Sequence, residues 1–123
     1  MIKANELRVG NWVANKNGLP YKITGFNIAH IEGTENNMSN FNTAAYPITI
    51  TPEILEKCGF FNDTSLNIYI ILKEENFISY KFEDDVFVPF DDFYHGFMPN
   101  IKYIHQLQNL YFALSGKELQ VNL

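Results

Sequence analysis

The chain has 123 residues, 46% of them hydrophobic, 15% aromatic and 19% charged, with a formal net charge of −5. Few charges and many aromatics are the reverse of a disordered composition, and the length fits a single domain, residues 1–123. The one arginine, Arg8, and the singly scattered lysines speak against the basic stripe of a DNA-groove binder, and the acidic balance mainly predicts solubility.

Cys58 is the only cysteine, so an intramolecular disulfide is impossible and a cytoplasmic setting is expected. Met1 to Glu6 lacks the apolar core of a signal peptide. The apolar run Ile68 to Leu72 is strand-length, far short of the roughly 20 residues that span a bilayer, so no membrane contact is expected.

Residues 1–50 are read as strands joined by tight turns. Leu7 to Val13 is apolar at alternate positions around Gly10, and Asn17-Gly18 signals a hairpin, because the central positions of a type I′ turn need positive φ. Leu19 to Phe26 follows, with Pro20 restricting it to an edge or a strand start and Gly25 marking a bulge. Ile28 to Glu32 is expected as a third short strand, and Gly33 to Asn42 as a polar loop. This order resembles the start of small SH3-like barrels, in which a glycine-led strand pairs with a strongly bent second strand.

Residues 51–123 open with a helix. Thr51 suits the N-cap, Pro52 the first helical position and Gly59 the C-terminal stop, with Ile54, Leu55 and Cys58 on one face. Period-two alternation then runs through Leu66–Leu72, Phe77–Phe82 and Val86–Phe90, which predicts an antiparallel β-meander. Asp91 to Asn100 is irregular. Ile104, Leu107, Tyr111 and Leu114 recur at helical spacing up to Gly116, and Leu119, Val121 and Leu123 alternate as for a last strand. The fold class expected is α+β: an SH3-like antiparallel β half, a short helix, a β-meander and a C-terminal helix.

The stretch Lys102-Tyr103-Ile104-His105-Gln106-Leu107-Gln108-Asn109-Leu110-Tyr111-Phe112-Ala113-Leu114-Ser115-Gly116-Lys117-Glu118-Leu119 resembles the C-terminal signature of a family of small uncharacterised proteins from phages and prophage-like elements of Bacteroides-group gut bacteria. Leu7 to Val13 and Ile50 to Phe60 match the same family in the same order, while Asp91 to Pro99 departs from its pattern. The resemblance implies a phage or mobile-element origin and transfers no activity and no site.

Catalytic chemistry finds little support. Asp91, Asp92 and His95, with Glu83, Asp84 and Asp85 nearby, form the best local metal-ligand cluster; they read more simply as solvated acidic turns, so neither a metal nor another cofactor is expected. Cys58 lies on an apolar helix face, where a cysteine is ordinarily a small buried hydrophobe rather than a nucleophile. No phosphate loop, dinucleotide fingerprint or nucleophile elbow occurs.

The expected function is therefore a non-enzymatic protein–protein interaction module. Its candidate surface comprises Trp12, Tyr21, His105, Gln108, Asn109 and Phe112, although the apolar circumference around His105 favours burial of that helix. A nucleic-acid module remains the alternative, and it requires Arg8, Lys16 and Lys22 to gather beside Trp12 and Tyr21. A small metal-dependent hydrolase built on Asp91, Asp92 and His95, and an acidic decoy of a DNA-binding surface, are the remaining readings. An edge strand or exposed aromatic patch leaves a homodimer open.

Overall fold

A computed structural model describes residues 1–36, 43–63, 68–73, 76–83, 86–89 and 100–123. The chain divides into two compact units, Met1–Thr49 with Tyr103–His105, and Ile50–Lys102 with Gln106–Leu123. Helices and antiparallel sheets both occur, an α+β composition. Among the described residues no helix is long and apolar enough to cross a membrane.

The first unit is built on a hairpin of β1 (Trp12–Ala14) and β2 (Pro20–Lys22), in which Trp12 pairs with Lys22 and Val13 with Tyr21. The turn is not the two-residue kind expected. Gly18 N donates to Asn15 O at 2.9 Å and Asn15 N to Leu19 O at 2.9 Å, so Lys16 and Asn17 occupy the central positions. Gly18, at φ 82, supplies the left-handed residue after them. The Asn15 carboxamide oxygen accepts from Asn17 N at 2.9 Å and Leu19 N at 3.0 Å, which satisfies the loop's own amides. On the other side of β1, Ala14 and Tyr46 exchange backbone bonds at 2.9 Å in each direction.

The chain then departs from the expected third strand. Residues Gly25–Glu35 form helix α1, covering both the strand expected at Ile28–Glu32 and the start of the expected loop. Thr24 is the reason. Its hydroxyl accepts from Asn27 N at 3.2 Å while Asn27 Oδ1 accepts from Thr24 N at 3.0 Å, a reciprocal cap with asparagine in the position usually held by Glu or Gln. Ile28 and Ile31, three residues apart, then share the inward face. Gly25 is thus the first helical residue and not a bulge.

The core of this unit is Ile2, Ala4, Val13, Ile23, Ile31 and Ala45, with Leu7, Tyr21 and Ile28 packed against it. Each fully enclosed Val or Ile contributes about 1.5–3 kcal/mol relative to exposure. The carboxylate of Glu35 accepts from Ala4 N at 2.9 Å, tying the last turn of α1 to the single 3-10 turn Ala4–Glu6.

In the second unit, α2 (Pro52–Lys57) begins where Thr51 Oγ1 accepts from Ile54 N at 3.2 Å. It ends in a Schellman arrangement, with Phe60 N donating to Leu55 O, Gly59 N to Glu56 O, and Gly59 at φ 95. Leu55, Cys58 and Phe60 are buried. Strands β3 (Phe61–Asp63), β4 (Ile68–Lys73), β5 (Asn76–Glu83) and β6 (Val86–Pro89) make one antiparallel sheet in sequence order.

Helix α3 (Ile104–Ser115) follows and stops at Gly116, φ 71, whose N–H donates to Phe112 O at 2.8 Å. Residues 117–123 are not a strand. Leu119 and Val121 are buried, and Asn122 Nδ2 donates to the Lys57 carbonyl at 3.4 Å.

Candidate interaction surface

Three neighbouring features of the first unit bring apolar and basic groups to its outside. The first is the turn Arg8–Asn11, in which Asn11 N donates to Arg8 O at 3.0 Å and Gly10 takes φ 93 at the third position, the type II requirement for glycine. Asn11 is wholly buried, and its Oδ1 accepts from Arg8 N at 2.7 Å. With both ends of the turn fixed inward, Val9 is lifted out and is 60% exposed.

The second feature is the N-terminal end of α1. Gly10 N donates to Ile23 O at 2.9 Å, which lays the turn beside the residues leading into the helix. A methyl group placed on Gly25 would stand 3.8 Å from Val9 Cγ2, so the two residues lie in van der Waals range. Phe26 is 69% exposed, and its ring meets that of His30, one helical turn on, edge to face at 3.9 Å between centroids.

The third is the outer face of the hairpin. Val13, Tyr21 and Ile23 point into the core, so alternation sends Trp12 and Lys22 to the opposite face. There Lys22 Nζ sits 5.6 Å from the centre of the Trp12 ring, a cation–π pair. No Asp or Glu occurs between Glu6 and Glu32, whereas Arg8, Lys16 and Lys22 all do. The positive end of the α1 macrodipole adds to the same field.

The residues expected from sequence to form one surface are distributed otherwise. Trp12 is half-buried beneath Lys22. Tyr21 is half-buried and faces inward, its hydroxyl donating to Ala44 O at 3.1 Å, and burial raises its pKa. His105 and Gln108, 2% and 3% exposed, are enclosed and offer nothing to a partner. Asn109 is half-buried, and Phe112 retains 39% exposure. Val9 and His30 were not anticipated, and the signals for them were the glycine at position 10 and the Thr24–Asn27 capping pair.

His105 lies in the first turn of α3, its ring stacked on Tyr103 at 5.9 Å. Its Nδ1 is buried without a hydrogen bond. Burial pushes the imidazole pKa below its ordinary value, and the Glu6 carboxylate offsets part of that. Burial thus favours the neutral ring.

Cys58, also buried, has its thiol pushed up to about 11 by desolvation, which withdraws the thiolate a nucleophile would need. Asp84, Asp85, Asp91, Asp92 and His95 lie outside the described residues. Among the described residues, no three His, Cys, Asp or Glu stand together as a metal site. Compared with family models, curated proteins and solved structures, the chain matches none of them.

Proposed function

We propose that the protein is a non-enzymatic interaction module of a phage or mobile element, and that it binds a protein partner through the outward face of its first unit. One observation carries this reading: Val9 and Phe26 are 60% and 69% exposed, on backbone fixed by a type II turn and a capped helix. A large apolar side chain left in water on rigid backbone gives no folding stability, and a rigid aromatic anchor is what interface hot spots use. The SH3-like likeness of this half rests on the hairpin and the Tyr46 segment beside it, without a third strand at residues 28–32.

The nucleic-acid alternative has less to work with. Of the aromatics it requires, Tyr21 faces the core and Trp12 is half-buried under Lys22, so neither presents an open stacking face.

The test is affinity capture from host lysate after nuclease treatment, with wild type and Phe26→Ala in parallel. A protein retained by wild type and lost from Phe26→Ala supports the reading. Equal retention by both, or recovery of nuclease-sensitive material alone, contradicts it.

A further inference from the structure

We infer that Asn17 is a site of spontaneous deamidation, and that Asn15 holds the reaction in check by fixing the turn that carries it. The inference is independent of the interaction reading above.

Asn17-Gly18 is the one Asn-Gly pair in the chain. Asparagine is chemically labile because its carboxamide carbon lies within reach of the next residue's amide nitrogen, and glycine puts no Cβ in the way. The Gly18 amide gives up its proton to water and its nitrogen bonds to Asn17 Cγ; the carboxamide C–N bond breaks and ammonia leaves. Water then opens the resulting ring imide at either carbonyl. One opening gives aspartate, the other isoaspartate, whose extra methylene lies in the main chain. Water is consumed and ammonia released, and nothing is oxidised or reduced.

The folded turn opposes the first step. Asn17 and Gly18 are both exposed, so water reaches them. Gly18 N, however, donates to Asn15 O at 2.9 Å, and a nitrogen engaged there cannot also turn towards Asn17 Cγ. The Asn15 carboxamide oxygen adds a second restraint. It accepts from Asn17 N at 2.9 Å and Leu19 N at 3.0 Å, the amides on either side of the attacking one. Ring closure must therefore wait for the turn to open, and Asn15 sets how often it does.

The product differs from the reactant in charge and in backbone. The first unit holds four basic residues (Lys3, Arg8, Lys16, Lys22) against three acidic ones (Glu6, Glu32, Glu35), a net +1. The second holds five against eleven, a net −6. Deamidation would cancel the surplus of the first unit and place a carboxylate in the stretch between Glu6 and Glu32. Isoaspartate would also lengthen the main chain inside a turn closed by the bonds from Asn15 to Gly18 and Leu19.

The experiment incubates the full chain at mildly alkaline pH as folded wild type, urea-denatured wild type, Asn15→Ala and Asn15→Asp. Trypsin cuts after Lys16 and Lys22, so Asn17 is isolated on a short peptide whose conversion mass spectrometry follows. In the denatured chain Asn17 should convert ahead of every other asparagine. In the folded wild type it should convert about tenfold more slowly, the factor that corresponds to the net worth of a hydrogen bond holding the turn closed. Asn15→Ala should recover most of that difference, with an amide spectrum unchanged away from the turn. Asn15→Asp keeps an acceptor oxygen and should stay slow.

Another asparagine converting first in the denatured chain overturns the site. Equal rates in folded and denatured wild type, in wild type and folded Asn15→Ala, or a rate in Asn15→Asp matching the denatured chain overturns the restraint by Asn15.

Discussion

The two units carry opposite charge balances, +1 in the first and −6 in the second, within one chain whose net charge is −5. The difference teaches that net charge bounds the behaviour of a whole chain and says little about any one face. A global acidic balance argues against a counterion-releasing DNA binder, but an acid-free stretch of 25 residues, 7–31, survives inside it. Within the first unit a second contrast runs through the same hairpin. Tyr21 and Ile23 face inward and hold the fold, while Lys22 between them faces outward and is free of that duty.

That contrast breaks most visibly at Ile23, 1% exposed. Ile23→Ala should destabilise the protein by about 2–5 kcal/mol in chemical denaturation, through lost burial and the cavity left behind. Phe26→Ala should change stability by less than about 0.5 kcal/mol. Comparable losses at both positions would mean that Phe26 is a core residue.

In the second unit, Cys58 should react with a thiol reagent at least about a hundredfold more slowly in the folded protein than in the denatured one. The smaller thiolate population accounts for this factor, with burial pushing the thiol up to about 11 from an ordinary 9.0, and enclosure adds to it. Labelling at equal rates in both states would contradict its placement.

Gly10→Ala should cost about 1 kcal/mol, since alanine at φ 93 is strained whatever the space around it. It should also weaken partner binding, because Val9 is presented by that turn. An unchanged melting temperature and unchanged binding would show the turn to be incidental.

A gentler effect is expected at His105. Its imidazole is held below its ordinary pKa in the fold, so the unfolded chain takes up a proton that the folded chain refuses. Its stabilising contribution is full above about pH 6.5 and is lost as the pH falls from there through the lower folded value. Thermal melts from neutral to acid pH should show this loss in the wild type, and His105→Phe should flatten it. A slope of the same size in both proteins would assign the pH dependence elsewhere.

Much of the local chemistry was legible in the sequence. Thr51, Pro52 and Gly59 bound α2 because cap, first-turn and left-handed stop each have a residue that suits them physically. Asn17-Gly18 marked the hairpin, although the three-residue turn adopted there uses only the glycine as anticipated. Ile104, Leu107 and Tyr111 marked the buried side of α3.

Helix α1 was not legible, because a strand bulged at Gly25 followed by a short strand at Ile28 to Glu32 also fits these residues, and the deciding cap carries asparagine at its third position. The enclosure of His105 and Gln108 was not legible for a related reason. A polar stripe beside an apolar helical face is enclosed or exposed according to what packs over it, and spacing alone contains no term for that. His105 and Gln108 are enclosed. Val9 reads as one more alternating apolar residue until Gly10 turns the chain and leaves it in water.

The most direct test of the central claim places a photo-crosslinking amino acid at position 26 in the first unit and, separately, at position 114 in the second. Both are exposed in the structure, 69% and 44% respectively. Irradiation in host cells should give a discrete protein adduct from position 26 and none from position 114. An adduct from position 114 alone, or from neither, would contradict the assignment of the binding surface to the first unit.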